Sequence, residues 1–239
     1  MNADAICAQP CFILRHKPYR ESSLILDVLS QDFGRFSLLA KGVRKAKSKT
    51  APFLQAFGLL NISYLYREEL KILTDVYSPR FPFKLQGLAL YCGFYINELL
   101  MRLTFPDDPI PELFFTYQNC LTSLAERDDD SIQAILRRFE VKLLEYIGYG
   151  LQLHYDIKTA RPVVPELRYS FVIEQGPYQD DTGLVTGQTL LALSTGQYNV
   201  QTLHEAKKLM RIVIDHYLQG KPLKSRQVIN QIMKKLGHE

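Results

Sequence analysis

The chain has 239 residues, 46% of them hydrophobic, which supplies core material for one large domain or two to three small ones and excludes a disordered polyelectrolyte. No apolar run reaches the roughly 18 residues needed to cross a bilayer, and MNADAICAQPC at the N-terminus lacks the basic start and apolar core of a signal peptide, so a soluble cytoplasmic protein is expected. The net charge of +4 hides an asymmetry: residues 1–80 carry 12 basic and 7 acidic side chains, residues 81–165 carry 8 and 11, and residues 166–239 carry 9 and 7. A basic N-terminal unit beside an acidic body suits one polyanion-binding face on a separate scaffold.

The first eighty residues read as strands. Cys11–His16 and Ser22–Ser30 alternate or run apolar, and Arg35–Gly42 sets Phe36, Leu38 and Ala40 on one face. Asp32-Phe33-Gly34 is a hairpin turn, and Leu59–Tyr66 and Leu70–Ser78 complete the set. Five short strands in about 75 residues fit a small closed barrel of the OB type, although an SH3-like barrel would read almost the same. Between the third and fourth strands lies a loop in which Lys41–Lys49 holds five cations and no acid. A small sheet ending in a flexible basic arm is suited to gripping phosphates, because each cation that neutralises one releases a counterion.

Pro79 and Pro82 punctuate the exit from the strands, and Phe83–Thr104 then follows helical spacing. A second helix starts at Pro111 and carries Leu113, Phe114, Tyr117, Cys120, Leu121 and Leu124. Asp128-Asp129-Asp130 with Ser131 caps a third, whose stripe runs from Ile132 to Ile147 before Gly148 and Gly150. These three helices are expected to pack as a bundle. Residues 151–185 are the least regular part, with a strand at Tyr169–Glu174 and a turn at Gly176–Gly183. Two helices follow, Gly187–Ser194 and Thr202–Leu218, and then a basic tail, Gly220–Lys235. The fold class is therefore α+β: a five-stranded barrel over residues 1–80, then a mainly helical domain over 81–239 with a small irregular or β insertion at about 151–190.

Chemical signatures are sparse. Cys7, Cys11, Cys92 and Cys120 have no metal-site spacing, the histidines (His16, His154, His204, His216, His238) are scattered, and a buried free thiol behaves as a small hydrophobe. No phosphate loop, H-E-x-x-H, G-x-S-x-G or dinucleotide fingerprint occurs. The carboxylate groups Glu68-Glu69, Asp107-Asp108 and Asp128–Asp130 read as solvated turns and a helix cap, not as a two-metal nuclease site, which needs carboxylates converging on one cleft. The expectation is a binding protein, not an enzyme, with no cofactor and no metal.

KPYRESSLILDVLS at Lys17–Ser30 and GRFSLLAKGVRKAKS at Gly34–Ser48 resemble the start of the RecO family of bacterial DNA repair proteins. Leu90–Leu100, Leu136–Gly150 and Gly220–Arg226 resemble three further segments of that family, in the same order. The resemblance implies an N-terminal OB-fold followed by a helical domain. It also implies a recombination mediator of the RecF pathway that binds single- and double-stranded DNA and anneals complementary strands. Such a protein works with RecR and helps load RecA on strands coated by single-strand binding protein (SSB), so a cytoplasmic, nucleoid-associated location follows. Many relatives carry a four-cysteine zinc module in the region matching 151–190, but this chain has no cysteine there and only His154, so no zinc is expected.

The candidate phosphate contacts are Lys41, Arg44, Lys45, Lys47 and Lys49, with Arg15, Lys17, Arg20 and Arg35 extending the strip. The plainer alternatives are a solvated loop and cations guarding sheet edges. Tyr19 and Phe36 are candidates for stacking on bases, although the alternation of Phe36 with Leu38 suggests core. Lys221, Lys224 and Arg226 form a second candidate DNA contact. The resemblance further implies a helical-domain site for the acidic SSB tail, which ends in Phe and a free carboxylate. Arg137 or Arg138, with Lys142, would hold the carboxylate, and Leu113, Phe114 and Tyr117 would wall a groove for the ring. The alternative reading of the whole is a non-catalytic protein–protein adaptor whose barrel binds protein rather than DNA.

Overall fold

The computed structural model describes residues 4–67, 70–126 and 132–235. Five strands, β1 (Asp4–Tyr19), β2 (Ser23–Ser30), β3 (Gly34–Ala40), β4 (Leu59–Arg67) and β5 (Leu70–Tyr77), close into a barrel in the order β1-β2-β3-β5-β4. All pairings are antiparallel except β3 with β5, where Leu38 faces Lys71 and Leu39 faces Ile72. This arrangement is an OB-type barrel, and it settles the ambiguity with an SH3-like one.

Strand β1 is longer than its sequence pattern suggests. Bulges between Ile6 and Gln9 and between Ile13 and Arg15 interrupt the alternation, and Ala8 sits at φ 51°. The bulges let one strand serve both neighbours, its first half pairing with β4 and its second with β2. Cys11, Ile13, Leu26, Val28, Phe36, Leu38, Leu60, Ile62 and Tyr64 fill the interior. Removing a ring such as Phe36 would cost about 3–5 kcal/mol, the usual range for large-to-small core changes.

Two compact units divide the chain, Met1–Ala125 with Ser225–Glu239 and Glu126–Lys224. In the first, the outer face of β1 is covered by helices α1 (Leu88–Leu103) and α2 (Pro111–Glu126). Phe12 packs its ring 5.2 Å from Phe114 and 5.1 Å from Tyr117. Asn97 joins the layers, its amide donating to the Leu14 carbonyl at 3.0 Å and its oxygen accepting from the Tyr117 hydroxyl at 2.6 Å. Helix α1 begins at Leu88 and not at Phe83, because Gly87 at φ 55° breaks the backbone just before it.

The second unit holds α3 (Ile132–Tyr146), strands β6 (Arg168–Val172), β7 (Gly176–Gln179) and β8 (Val185–Thr186), and helices α4 (Gly187–Thr195) and α5 (Val200–Tyr217). The expected bundle of the first three helices is thus corrected: α3 packs against α4 and α5 within its own unit. An apolar stripe says that a helix has a partner, but not which one. Asn199 and Thr202 form a reciprocal capping box that starts α5. The basic tail forms a helix, α6 (Lys224–Lys235). The expected cap at Asp128–Ser131 and the Glu68-Glu69 pair lie outside the described residues. Among the described residues no helix is long and apolar enough to cross a membrane.

Candidate nucleic-acid interface

The connection between β3 and β4 is not a free arm, contrary to the expectation of a flexible one. Val43 and Leu54 both insert into the barrel core and pin the connection at two points. Between them the backbone is tied down: the Arg44 amide donates to the Ser22 carbonyl at 2.9 Å, Ser48 to Lys45 at 3.0 Å, and the Ala51 amide to the Ser48 hydroxyl at 3.2 Å. Gly42 at φ 70° permits the turn that closes Lys45 onto Gly42. The side chains point the other way. Lys41, Arg44, Lys45, Lys47 and Lys49 are all exposed, and among the described residues none of them forms an ion pair. A held backbone with unneutralised heads lowers the ordering cost of meeting a line of phosphates.

The β1–β2 turn joins this surface. Arg44 donates from its guanidinium to the Arg20 carbonyl at 3.1 Å, and Arg20, at φ 51°, lays its own guanidinium 5.3 Å from the centre of the Tyr19 ring. Beyond the second β1 bulge, Arg15, Lys17 and Tyr19 pair with Asp27, Ile25 and Ser23, residues that alternate with the core positions Leu24, Leu26 and Val28. They therefore share the outer face. Lys17 is open, whereas Arg15 is joined at 2.7 Å to Asp27, which also accepts from Ser37 at 2.5 Å.

Arg35 is placed differently. Its guanidinium donates to the Thr104 hydroxyl at 3.0 Å and the Thr104 carbonyl at 2.7 Å, so it latches β3 to the end of α1. Burial pulls its pKa below the usual arginine range, with Asp27 and Asp107 drawing it partly back. Phe36 is 2% exposed and belongs to the core, as its alternation suggests. The Gly220–Arg226 motif also makes internal contacts: Ser225 donates its amide and hydroxyl to Glu98 at 2.8 and 2.6 Å, and Arg226 lies over Tyr95 at 6.0 Å. These contacts seat α6 on α1, while Lys221 and Lys224 remain exposed.

The expected groove walls need correcting. Leu113, Phe114 and Tyr117 are at most 1% exposed and belong to the first unit's core, where the Phe114 and Tyr117 rings meet Phe12 and the Tyr117 hydroxyl meets Asn97 rather than solvent. Arg137, 6% exposed, is ion-paired with the buried Glu140. Nearby Tyr198, which sequence reasoning missed, has its hydroxyl pKa pushed up to about 12, chiefly by burial. Arg138 is exposed and donates to the Gly196 carbonyl at 2.8 Å. Lys142 is exposed and bonds Glu145 at 2.7 Å, which raises its pKa.

The irregular segment after α3 has its own organiser. One Asp156 oxygen accepts from the amides of Lys158 and Thr159 at 2.8 Å each, and the other from the Gln179 amide at 2.6 Å. Burial works to raise its pKa, but these amide bonds outweigh it and hold the carboxyl below the usual aspartate range. His154 is exposed, and among the described residues no group of three or more His, Cys, Asp or Glu could hold a metal ion. This donor set does not fit a zinc module, since the buried Asp156 carboxylate already faces backbone amides.

A family model described as Recombination protein O N terminal matches residues 4–78, and one described as Recombination protein O C terminal matches residues 85–227. Several curated relatives are named DNA repair protein RecO. That of Methylococcus capsulatus is 44% identical over 91% of this chain and 90% of its own. That of Aromatoleum aromaticum is 41% identical over 94% and 95%, and that of Coxiella burnetii is 38% identical over 94% and 98%.

Proposed function

The chain belongs to the RecO family of DNA repair proteins, and from that premise we propose that it is a non-catalytic recombination mediator that binds single- and double-stranded DNA and anneals complementary strands. The observation that carries this reading is the pinned connection at 41–54, whose backbone is anchored and whose five cationic heads are exposed and, among the described residues, without ion pairs. Such a surface holds one strand, offsets its repulsion for a second, and lets base pairing choose the partner. Arg20, Lys17 and Tyr19 extend it across the β1–β2 turn, and Lys221 with Lys224 supplies a second contact.

With RecR, the protein helps load RecA on SSB-coated strands in the RecF pathway, working in the cytoplasm at the nucleoid. Arg138 receives the carboxylate of the SSB tail in place of Arg137, because Arg138 is exposed and Arg137 is buried against Glu140. Lys142 lies one turn further along the same helix face. Docking there raises the local concentration of the basic surface at coated strands.

The test is annealing of two complementary labelled oligonucleotides, bare and SSB-coated, with wild type and with Arg138→Ala. Wild type should speed annealing on both, and the variant should lose the gain only on coated strands. A wild type that binds neither strand would contradict the reading and leave a protein adaptor.

A further inference from the structure

The far end of the cation-bearing connection carries an aromatic ring that the phosphate contacts do not use. Phe53 is 40% exposed, and among the described residues no other ring or cation covers it. Its position is fixed from both sides. A short 3-10 turn at Ala51–Phe53 follows Thr50, with the Phe53 amide on the Thr50 carbonyl and the Leu54 amide on the Ala51 carbonyl, each at 3.1 Å. Pro52 stiffens the turn by fixing its own φ. The next residue, Leu54, is buried in the barrel core, so the chain reverses from inward to outward across one peptide unit. The ring follows Lys49 by four residues, and the part of it that stays in solvent leaves its share of the burial term unrealised.

We propose that Phe53 is a base-stacking residue that makes this surface prefer unpaired strands over duplex; the proposal rests on the DNA-binding reading above. The neighbouring cations hold the sugar–phosphate chain, and the ring offers a flat apolar face to a base that has turned away from it. In a duplex the base faces are already stacked on one another, and opening a step costs a few kcal/mol, so the ring contributes only on single strands. Two other exposed rings of the barrel already have partners: Phe33 lies edge-on to Tyr64 at 6.5 Å, and Tyr66 has the Lys71 ammonium 5.3 Å from its centre.

Binding of the full chain is measured to a labelled oligothymidylate, an abasic oligonucleotide of the same length and a blunt hairpin duplex, for wild type, Phe53→Ala and Phe53→Tyr. Phe53→Ala should weaken binding to oligothymidylate about 5-fold or more, the lower end of what one stacked base contributes. It should leave the abasic strand, the duplex and the salt dependence unchanged, and Phe53→Tyr should restore wild-type behaviour. Equal binding of oligothymidylate by wild type and Phe53→Ala overturns the proposal while DNA binding stands. An equal loss on all three probes overturns it too, because the ring is then structural, and a lowered melting temperature would accompany that result. A wild type that binds none of the probes overturns the DNA-binding reading as well.

Discussion

The connection at 41–54 and the stretch from 151 to the start of β6 are both largely irregular backbone, yet they treat their ionised groups differently. In the first, apolar residues turn inward and charges outward: Val43 and Leu54 anchor in the core, and the five cations are left to solvent. In the second, one carboxylate, that of Asp156, turns inward, while Lys158, Arg161 and Glu166 stay exposed. Asp156 accepts three backbone amides, and just past β7 Asp180 accepts the Ser170 hydroxyl at 2.6 Å and the Thr182 amide at 2.9 Å. One segment leaves its cations open to solvent, while the other uses Asp156 to hold its own fold. Irregular structure by itself thus says little about function; the direction in which its ionised groups are satisfied says much more.

Breaking an anchor of the first segment has the largest expected effect. Leu54→Ala removes a buried chain from the barrel core and should lower stability by about 2–5 kcal/mol in urea unfolding. Because the anchor also holds the cations in place, oligonucleotide affinity should fall along with it. A variant that loses stability but binds as wild type would separate the anchor from the site.

Asp156→Asn sharpens the other side of the comparison with a smaller effect. It turns an amide nitrogen toward donors and should cost about 1–3 kcal/mol, the range for an unsatisfied buried group, with DNA affinity unchanged. Its pH dependence follows from the depressed carboxyl. The folded pKa lies below the ordinary value of about 3.9, so the contribution is complete above that pH and is lost as pH falls through the folded value. The variant should therefore flatten the acid limb of the stability curve. An acid limb identical to wild type would show that Asp156 does not hold the segment.

The barrel was legible where alternation was uninterrupted, as in β2 and β3, whose inward residues Leu26, Val28, Phe36 and Leu38 fall on every second position. It was less legible in β1, where two bulges shift the period. Helix α6 read as a basic tail because its start is stabilised by Glu98, 127 residues earlier, a contact no local pattern announces. The five loop cations stand out as a charge run, whereas Val43 and Leu54 carry no mark of an anchor beyond being apolar residues in a mostly polar loop. Arg35 and Thr104 are 69 residues apart, so the latch could not be distinguished from a DNA contact. Phe114 and Tyr117 were visible as apolar and aromatic positions, but whether such a face closes on a core or lines a groove depends on Phe12, a strand residue far away in sequence.

The central claim is that the outward cations of the 41–49 run, and not the latched Arg35, carry the phosphate contacts. The most direct test is fluorescence anisotropy of a labelled single strand across salt concentration, for wild type, for Arg44, Lys45, Lys47 and Lys49 changed together to Ala, and for Arg35→Ala. In the fourfold variant the slope of log affinity against log salt should fall in magnitude by about 0.7 for each phosphate no longer neutralised. In Arg35→Ala it should stay at the wild-type value. A fourfold variant with an undiminished slope would contradict the account and move the DNA site away from this connection.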